Sequence, residues 1–367
     1  MKPIIDTTKE YGLVLDGGGA RGAYQIGAWK ALTEAGVKVC AVSGTSVGAL
    51  NGALICMGDV EKAEKIWNEI TFSTVMDVDD AWMDGLFNRE NSKRDILNKG
   101  LHLIAEGGVD IAPLRKLIHE NVEEQFIRES GVELCVTTFS LSHMRKIDLS
   151  IHEIPKGLLE DFLLASAYLI GFKNERLHGQ KYMDGGVIDN FPIKALIDRG
   201  YKDLIQIRIH GPGIVPRVKL EEDITLHEIS PKVKLGSIIE FQNKRSQQNL
   251  KMGYCDAMRM IYGLVGRIYY IEQTREEWYY EKILKILSDK EKAEVAFALR
   301  MSRKSSGLEI YLGMLEASAK LLRVPKYRLY TVEELEQEVY KRYQRYENVE
   351  ELPKFLHLLI ALERSTE

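Results

Sequence analysis

Cysteine is scarce. Cys40, Cys56, Cys135 and Cys255 are the only four in 367 residues, and no two form a CxxC pair. That argues against both a disulfide framework and a thiolate metal site. Three of the four lie in apolar runs such as "VELCVTT" and read as small buried hydrophobes. No apolar run approaches the roughly 18 residues of a membrane-spanning helix. The opening "MKPIIDTTKE" has no apolar core of the secretory type, which predicts a soluble, cytoplasmic chain whose membrane contact is peripheral. One-sign charge blocks, internal repeats and low-complexity tracts are also missing. Lys and Arg number 50 against 54 Asp and Glu, a net charge of −4, which argues against a nucleic-acid partner held through phosphates. The acidic stretch "DVDDAWMD" (77–84) lacks the glycine and glutamate of a calcium loop and predicts a solvated loop or helix cap.

What is present is a chain that is 45% hydrophobic, long enough for two or three domains. "YGLVLD" (11–16) and "VKVCAVS" (37–43) read as buried strands. Each runs through a glycine turn into a helical pattern, one ending at Gly36 and the next at Gly58. Two strand–turn–helix units in succession predict a three-layer α/β/α fold with a mostly parallel central sheet. Further strands are expected at 132–141, 146–154 and 203–211, a helix at 157–169, and a short strand before a helix near Pro192. After about residue 276 the pattern is helical, and Ser288–Glu291 and Thr331–Glu334 fit capping boxes. The expected division is therefore residues 1–275 as an α/β domain and 276–367 as a helical C-terminal extension.

The chemistry concentrates in three places. "GTSVG" (44–48) fits G-x-S-x-G between a strand and a helix, the context in which a sharp turn exposes the serine hydroxyl, here Ser46. Ahead of it stands "DGGGARG" (16–22). Gly17, Gly18 and Gly19 have no side chains to screen their amides, so several N–H groups can converge on a developing oxyanion. The same residues with Gly22 satisfy G-x-G-x-x-G. A dinucleotide site would want an acid about 20 positions on, at the end of the second strand, and that strand ends in a serine. For a base, His210 in "RIHGPG" sits where a Ser-His-Asp triad could use it. Asp184, in "YMDGGVIDN", has glycine neighbours that let its carboxylate approach another loop.

"DGGGARG", "GTSVG" and "DGG" in this order and approximate spacing resemble the patatin-like phospholipase family, over roughly residues 11–272. The resemblance implies a lipid acyl hydrolase working through a Ser46–Asp184 dyad, without a catalytic histidine and without metal or cofactor. It implies that Gly17, Gly18 and Gly19 form the oxyanion hole, with Arg21 supporting it by charge, and that the substrate is a lipid carboxylic ester of the phospholipid or lysophospholipid class. "GVDIAPLRKLI" (108–118) and "ASA" (165–167) are also similar to recurring family segments. One departure stands out: the proline-containing lip expected after "ASA" is replaced by "YLIGFK". Tyr168, Leu169, Ile170 and Phe172 make it apolar, fit to line an acyl pocket, touch lipid or end a core-facing helix. That bears on substrate preference rather than on the chemistry. Two other functions stay open on the residues alone: a conventional Ser46–His210–Asp carboxylesterase, and a catalytically silent lipid- or protein-binding module. "VYKRYQRY" (339–346) interleaves tyrosine with basic residues and reads as an exposed helix face.

Overall fold

Apolar runs bounded by glycine become strands buried on both faces, the mark of a parallel sheet covered by helices. β1 (Glu10–Leu15) buries all but its first residue. It leads through the glycine stretch into α1 (Ala23–Glu34), and then β2 (Lys38–Thr45) pairs parallel to β1. α2 (Val47–Met57) begins immediately after Ser46. α3 (Val60–Glu69) is capped by Asp59, whose side chain accepts from Lys62 N–H. There follow α4 (Ala112–Asn121), β3 (Glu133–Ser140), β4 (Arg145–Ser150), α5 (Leu159–Ser166), β5 (Tyr182–Asp184), β6 (Asp203–Ile207), β7 (Thr225–Ile229) and α6 (Asn243–Tyr262). The computed structural model describes residues 1–87, 108–169, 171–173, 175–302 and 304–364.

The sheet has the order β4-β3-β2-β1-β6-β7. β3, β2, β1, β6 and β7 run parallel, while β4 and β5 both pair antiparallel with β3. Val42 and Leu134 face α2: a Cβ on Gly52 would stand 3.1 Å from Val42 Cγ1 and 3.0 Å from Leu134 Cδ1. On the other face Val14, Ala41, Cys135 and Leu204 pack with Phe191, Ile193, Ala195 and Leu196. This is the three-layer α/β/α architecture expected.

Local details differ from the expectation, each for a physical reason. The strand expected over 203–211 stops at Ile207: Arg208 N–H still donates to Ile229 O at 2.8 Å, and the Asp16 carboxylate then captures Ile209 N–H at 2.7 Å and His210 N–H at 3.2 Å. The strand expected to reach 154 stops at Ser150, where Glu153 takes its N–H at 2.8 Å and closes a turn. β7 escaped the sequence pattern because "TLHEI" is an edge strand with only Ile229 buried. Asp79 and Asp80, from the acidic stretch, accept from Trp82 N–H and from Ser73 N–H and Oγ–H, so both act as helix caps.

By compactness the chain divides between Ile261 and Tyr262, ahead of the expected 275/276; Met1–Ile4 belong with the second unit. That unit has its own core, including Tyr269, Tyr280, Tyr311, Leu315, Leu335 and Leu356. Both expected capping boxes form, at Ser288–Glu291 and Thr331–Glu334, and a third forms at Ser306–Glu309. A parallel pair, β8 (Tyr270–Glu272) and β9 (Leu329–Thr331), lies within this otherwise helical unit. Among the described residues no helix is long and apolar enough to cross a membrane.

Candidate active site

Ser46 sits at the turn between β2 and α2 with φ 55° and ψ −127°, a conformation that costs an L-residue roughly 1–3 kcal/mol. The two flanking glycines make the turn feasible. A Cβ on Gly44 would lie 2.3 Å from the Gly48 backbone, and one on Gly48 would lie 2.4 Å from Leu15 O. The turn is also buttressed. Ser46 N–H donates to Ser166 Oγ at 2.8 Å, and Ser166 Oγ–H donates to Thr137 O at 2.6 Å. The Ser46 amide is therefore engaged, whereas the first-turn amides of Val47 and Gly48 have no acceptor among the described residues. Replacing Ser166 by alanine strands the buried Ser46 amide. We expect Ser166→Ala to lower stability by about 1–3 kcal/mol in urea denaturation. An unchanged midpoint would show that the bridge carries no weight.

Sheet register explains how Asp184 arrives beside this turn. β2 follows the edge of β3 up to Thr45, opposite Thr137, and then leaves at Ser46. β5 takes over the same edge one residue later, with Asp184 opposite Thr138. Two residues remote in sequence are thereby laid end to end. Asp184 Oδ1 accepts from Gly186 N–H at 2.8 Å, while its buried Oδ2 has no hydrogen-bond partner. Burial pushes the Asp184 carboxyl up to about 6; the Ser46 hydroxyl beside it and the Gly186 amide pull it back down.

The glycine stretch divides in role. Gly17 N–H donates to Asn190 O at 3.2 Å, and Asn190 Nδ2 returns bonds to Gly17 O at 3.2 Å and Gly211 O at 3.3 Å. The amides of Gly18 and Gly19 have no acceptor among the described residues. Gly19 has φ 54°, and a Cβ there would stand 2.1 Å from Ile238 O, so no other residue fits. Ala20 N–H binds that same carbonyl at 2.8 Å. The Arg21 guanidinium donates to Gly236 O at 2.9 Å, Ile209 O at 3.4 Å and His210 O, stapling the stretch to two neighbouring loops. Asp16, fully buried, does the same from the strand end. Burial raises its carboxyl to about 6, against the opposing charge of Arg208.

His210 is turned elsewhere. It too has positive φ, and its Nε2 lies 2.9 Å from Ser230 Oγ. Among the described residues no histidine is hydrogen-bonded to Ser46 or Asp184; His102 lies outside them.

From Ser46 and Gly19 an apolar cleft runs along α2, about 760 Å³ counting its open mouth. Leu50, Leu54, Trp67 and Leu114 line it, joined by Leu169 and Phe172 of the lip. Tyr168 is buried, and Ile170 lies outside the described residues. The polar atoms nearby face inward: Trp67 Nε1 donates to Asn51 Oδ1 at 2.9 Å, and Asn51 Nδ2 donates to Gly22 O at 3.0 Å. Sequence reasoning gave no role to Asp16, Asn190 or Ser166, although each stands in a segment it singled out: "DGGGARG", "YMDGGVIDN" and "ASA".

Residues 13–197, half of the chain, match the family model of patatin-like phospholipase. The neuropathy target esterase sws of Drosophila melanogaster is 30% identical over 207 residues, 55% of this chain and 13% of that protein. Patatin-like phospholipase domain-containing protein 7 of Mus musculus is 28% identical over 200 residues, 54% of this chain and again 13% of that protein. The chain thus spans only about an eighth of the length of these two relatives. The crystal structure of VipD from Legionella pneumophila aligns with a TM-score of 0.42 at 14% identity, over 97% of this chain and 84% of that one. On the match to half its length, the chain belongs to the patatin-like phospholipase family.

Proposed function

We propose that the protein is a serine acyl hydrolase of lipid carboxylic esters, of the phospholipid or lysophospholipid class, working through a Ser46–Asp184 dyad. The handover of β2 to β5 along β3, which brings a buried carboxylate with one free oxygen to a strained serine at the mouth of an apolar cleft, carries this reading. The cleft would take the acyl chain. Asp184 takes the proton from Ser46 Oγ as that oxygen attacks the ester carbonyl. The carbonyl electrons move onto oxygen, which the Gly18 and Gly19 amides and the Val47 amide receive; each such donor contributes about 3 kcal/mol at the transition state. The alcohol departs with the proton from Asp184. Water, deprotonated by Asp184, then attacks the acyl-enzyme carbonyl; the bond to Ser46 Oγ breaks, Asp184 returns the proton to that oxygen, and the fatty acid leaves. Arg21 acts as a positioning residue, holding the glycine stretch against its neighbours, and Gly17 anchors that stretch through Asn190. These steps call for no metal or organic cofactor.

The test is covalent. A fluorophosphonate should label Ser46 in the folded protein, and absence of labelling would favour a silent binding module. His210→Ala should keep most of the turnover on a soluble nitrophenyl ester, within about threefold, whereas a histidine triad would lose roughly 10³-fold or more.

A further inference from the structure

We propose that the catalytic unit docks on an anionic lipid surface through the rim formed by residues 211–217 and 230–239. The proposal rests on the acyl-hydrolase reading and adds to it the surface from which the substrate is drawn.

The rim follows from the sheet. In a parallel sheet the loops leaving the C-terminal strand ends gather on one edge, beside the ligand site. Residues 211–217 leave β6 and residues 230–239 leave β7, so both lie on the edge that carries Ser46. They are tied to the site by specific bonds. Ile214 N–H donates to Gly186 O at 2.9 Å, next to Asp184. Ile238 O receives Ala20 N–H, Gly236 O receives Arg21, and Ser230 meets His210. Phe241, two residues past Ile239, lines the cleft itself.

This edge is apolar where water should disfavour it. Ile214 is 56% exposed, Val215 43%, Val233 55% and Ile239 39%. Ile188, just beyond Asp184, and Met144, on the β3–β4 hairpin past the end of β3, are exposed on the same edge. Among the described residues of the catalytic unit, the remaining exposed large hydrophobic is Phe126, in the helix Glu124–Glu129 ahead of β3. Scattered exposed hydrophobics need no explanation; their concentration on the sheet edge that carries Ser46 does.

Charge selects the partner. In a chain of net charge −4, residues 211–217 and 230–239 contain Arg217, Lys232 and Lys234 and no acidic residue. Arg217 and Lys234 are exposed and make no ion pair among the described residues. Aliphatic side chains interleaved with cations suit the boundary of an anionic bilayer, where the former enter the headgroup region and the latter meet lipid phosphates and carboxylates. An acidic protein patch would meet the cations alone and leave the aliphatic side chains in water. Docking this way turns the sheet edge that carries Ser46 toward the membrane.

The experiment uses the full chain with Ser46→Ala, so that lipid is not consumed. Binding is measured by sedimentation with vesicles of phosphatidylcholine alone and of phosphatidylcholine mixed with phosphatidylserine. The expected result is preferential binding to the mixed vesicles that weakens with added salt. Each cation near such a surface contributes a factor of roughly five. Arg217→Glu with Lys234→Glu, and separately Val215→Asp with Val233→Asp, should therefore each lower the partition coefficient at least about tenfold. With Ser46 restored, both double variants should keep turnover of a soluble nitrophenyl ester, which shows that they fold. Absence of binding to mixed vesicles, or variants that bind like the parent, overturns the proposal. Vesicle binding through this rim in a chain without ester turnover would overturn the hydrolase reading and leave the docking surface standing.

Discussion

Ser46→Ala is expected to cut kcat on a soluble ester by about 10³-fold or more while leaving the fold intact. The hydroxyl oxygen is the atom that would form the acyl bond, and water without a covalent step must then do its work. The residue left behind need not be inert, because oxyanion donors and binding alone sustain some rate above the uncatalysed reaction. The turn should survive. Its backbone is held by the Ser46 amide on Ser166 and by the glycines on either side, none of which the substitution touches. Stability within about 0.5 kcal/mol of the parent is expected, as for a change that breaks no buried bond. Mass spectrometry after fluorophosphonate treatment should find the adduct on Ser46 in the parent and nowhere in the variant. Full turnover in Ser46→Ala would remove the basis for the mechanism.

Asp184→Asn should be nearly as damaging, by roughly 10³-fold, and should act in the opposite direction on stability. The amide keeps an acceptor for Gly186 N–H but cannot take the serine proton. The pH dependence follows from the carboxyl. Its pKa is about 6 in the folded chain against an ordinary value of 3.8, raised by burial. The proposed mechanism requires the carboxylate, so kcat/KM should rise with pH through about 6 and level off above it. For stability the sign is reversed. The unfolded chain ionises this group first, so ionisation favours unfolding. The penalty is absent below the ordinary value, grows between 3.8 and about 6, and is constant above. Asparagine removes it, so at neutral pH Asp184→Asn should melt at or above the parent temperature. A variant that loses both activity and stability would mean that the carboxylate holds the fold together and is no base.

The contrast between local and long-range features runs through the whole molecule. The G-x-S-x-G turn was legible because its requirements lie within five residues: a strand before, a helix after, and two glycines where no Cβ fits. The capping boxes of the second unit were legible for the same reason. β7, β8 and β9 were not, since short strands with one buried face or three residues leave no clear alternation.

By itself the sequence determined the fold class and the positions of serine, aspartate and glycine stretch, all written in short windows of backbone requirement. Only the tertiary structure decided which glycine amides stay open, because Gly17 is taken by Asn190. It also decided that the Arg21 guanidinium grips carbonyls, that Ser166 buttresses the Ser46 turn, and that His210 turns to Ser230. Each of these is a hydrogen bond between segments that meet only through strand order, and a donor's partner is set by where the sheet delivers it, not by its neighbours along the chain.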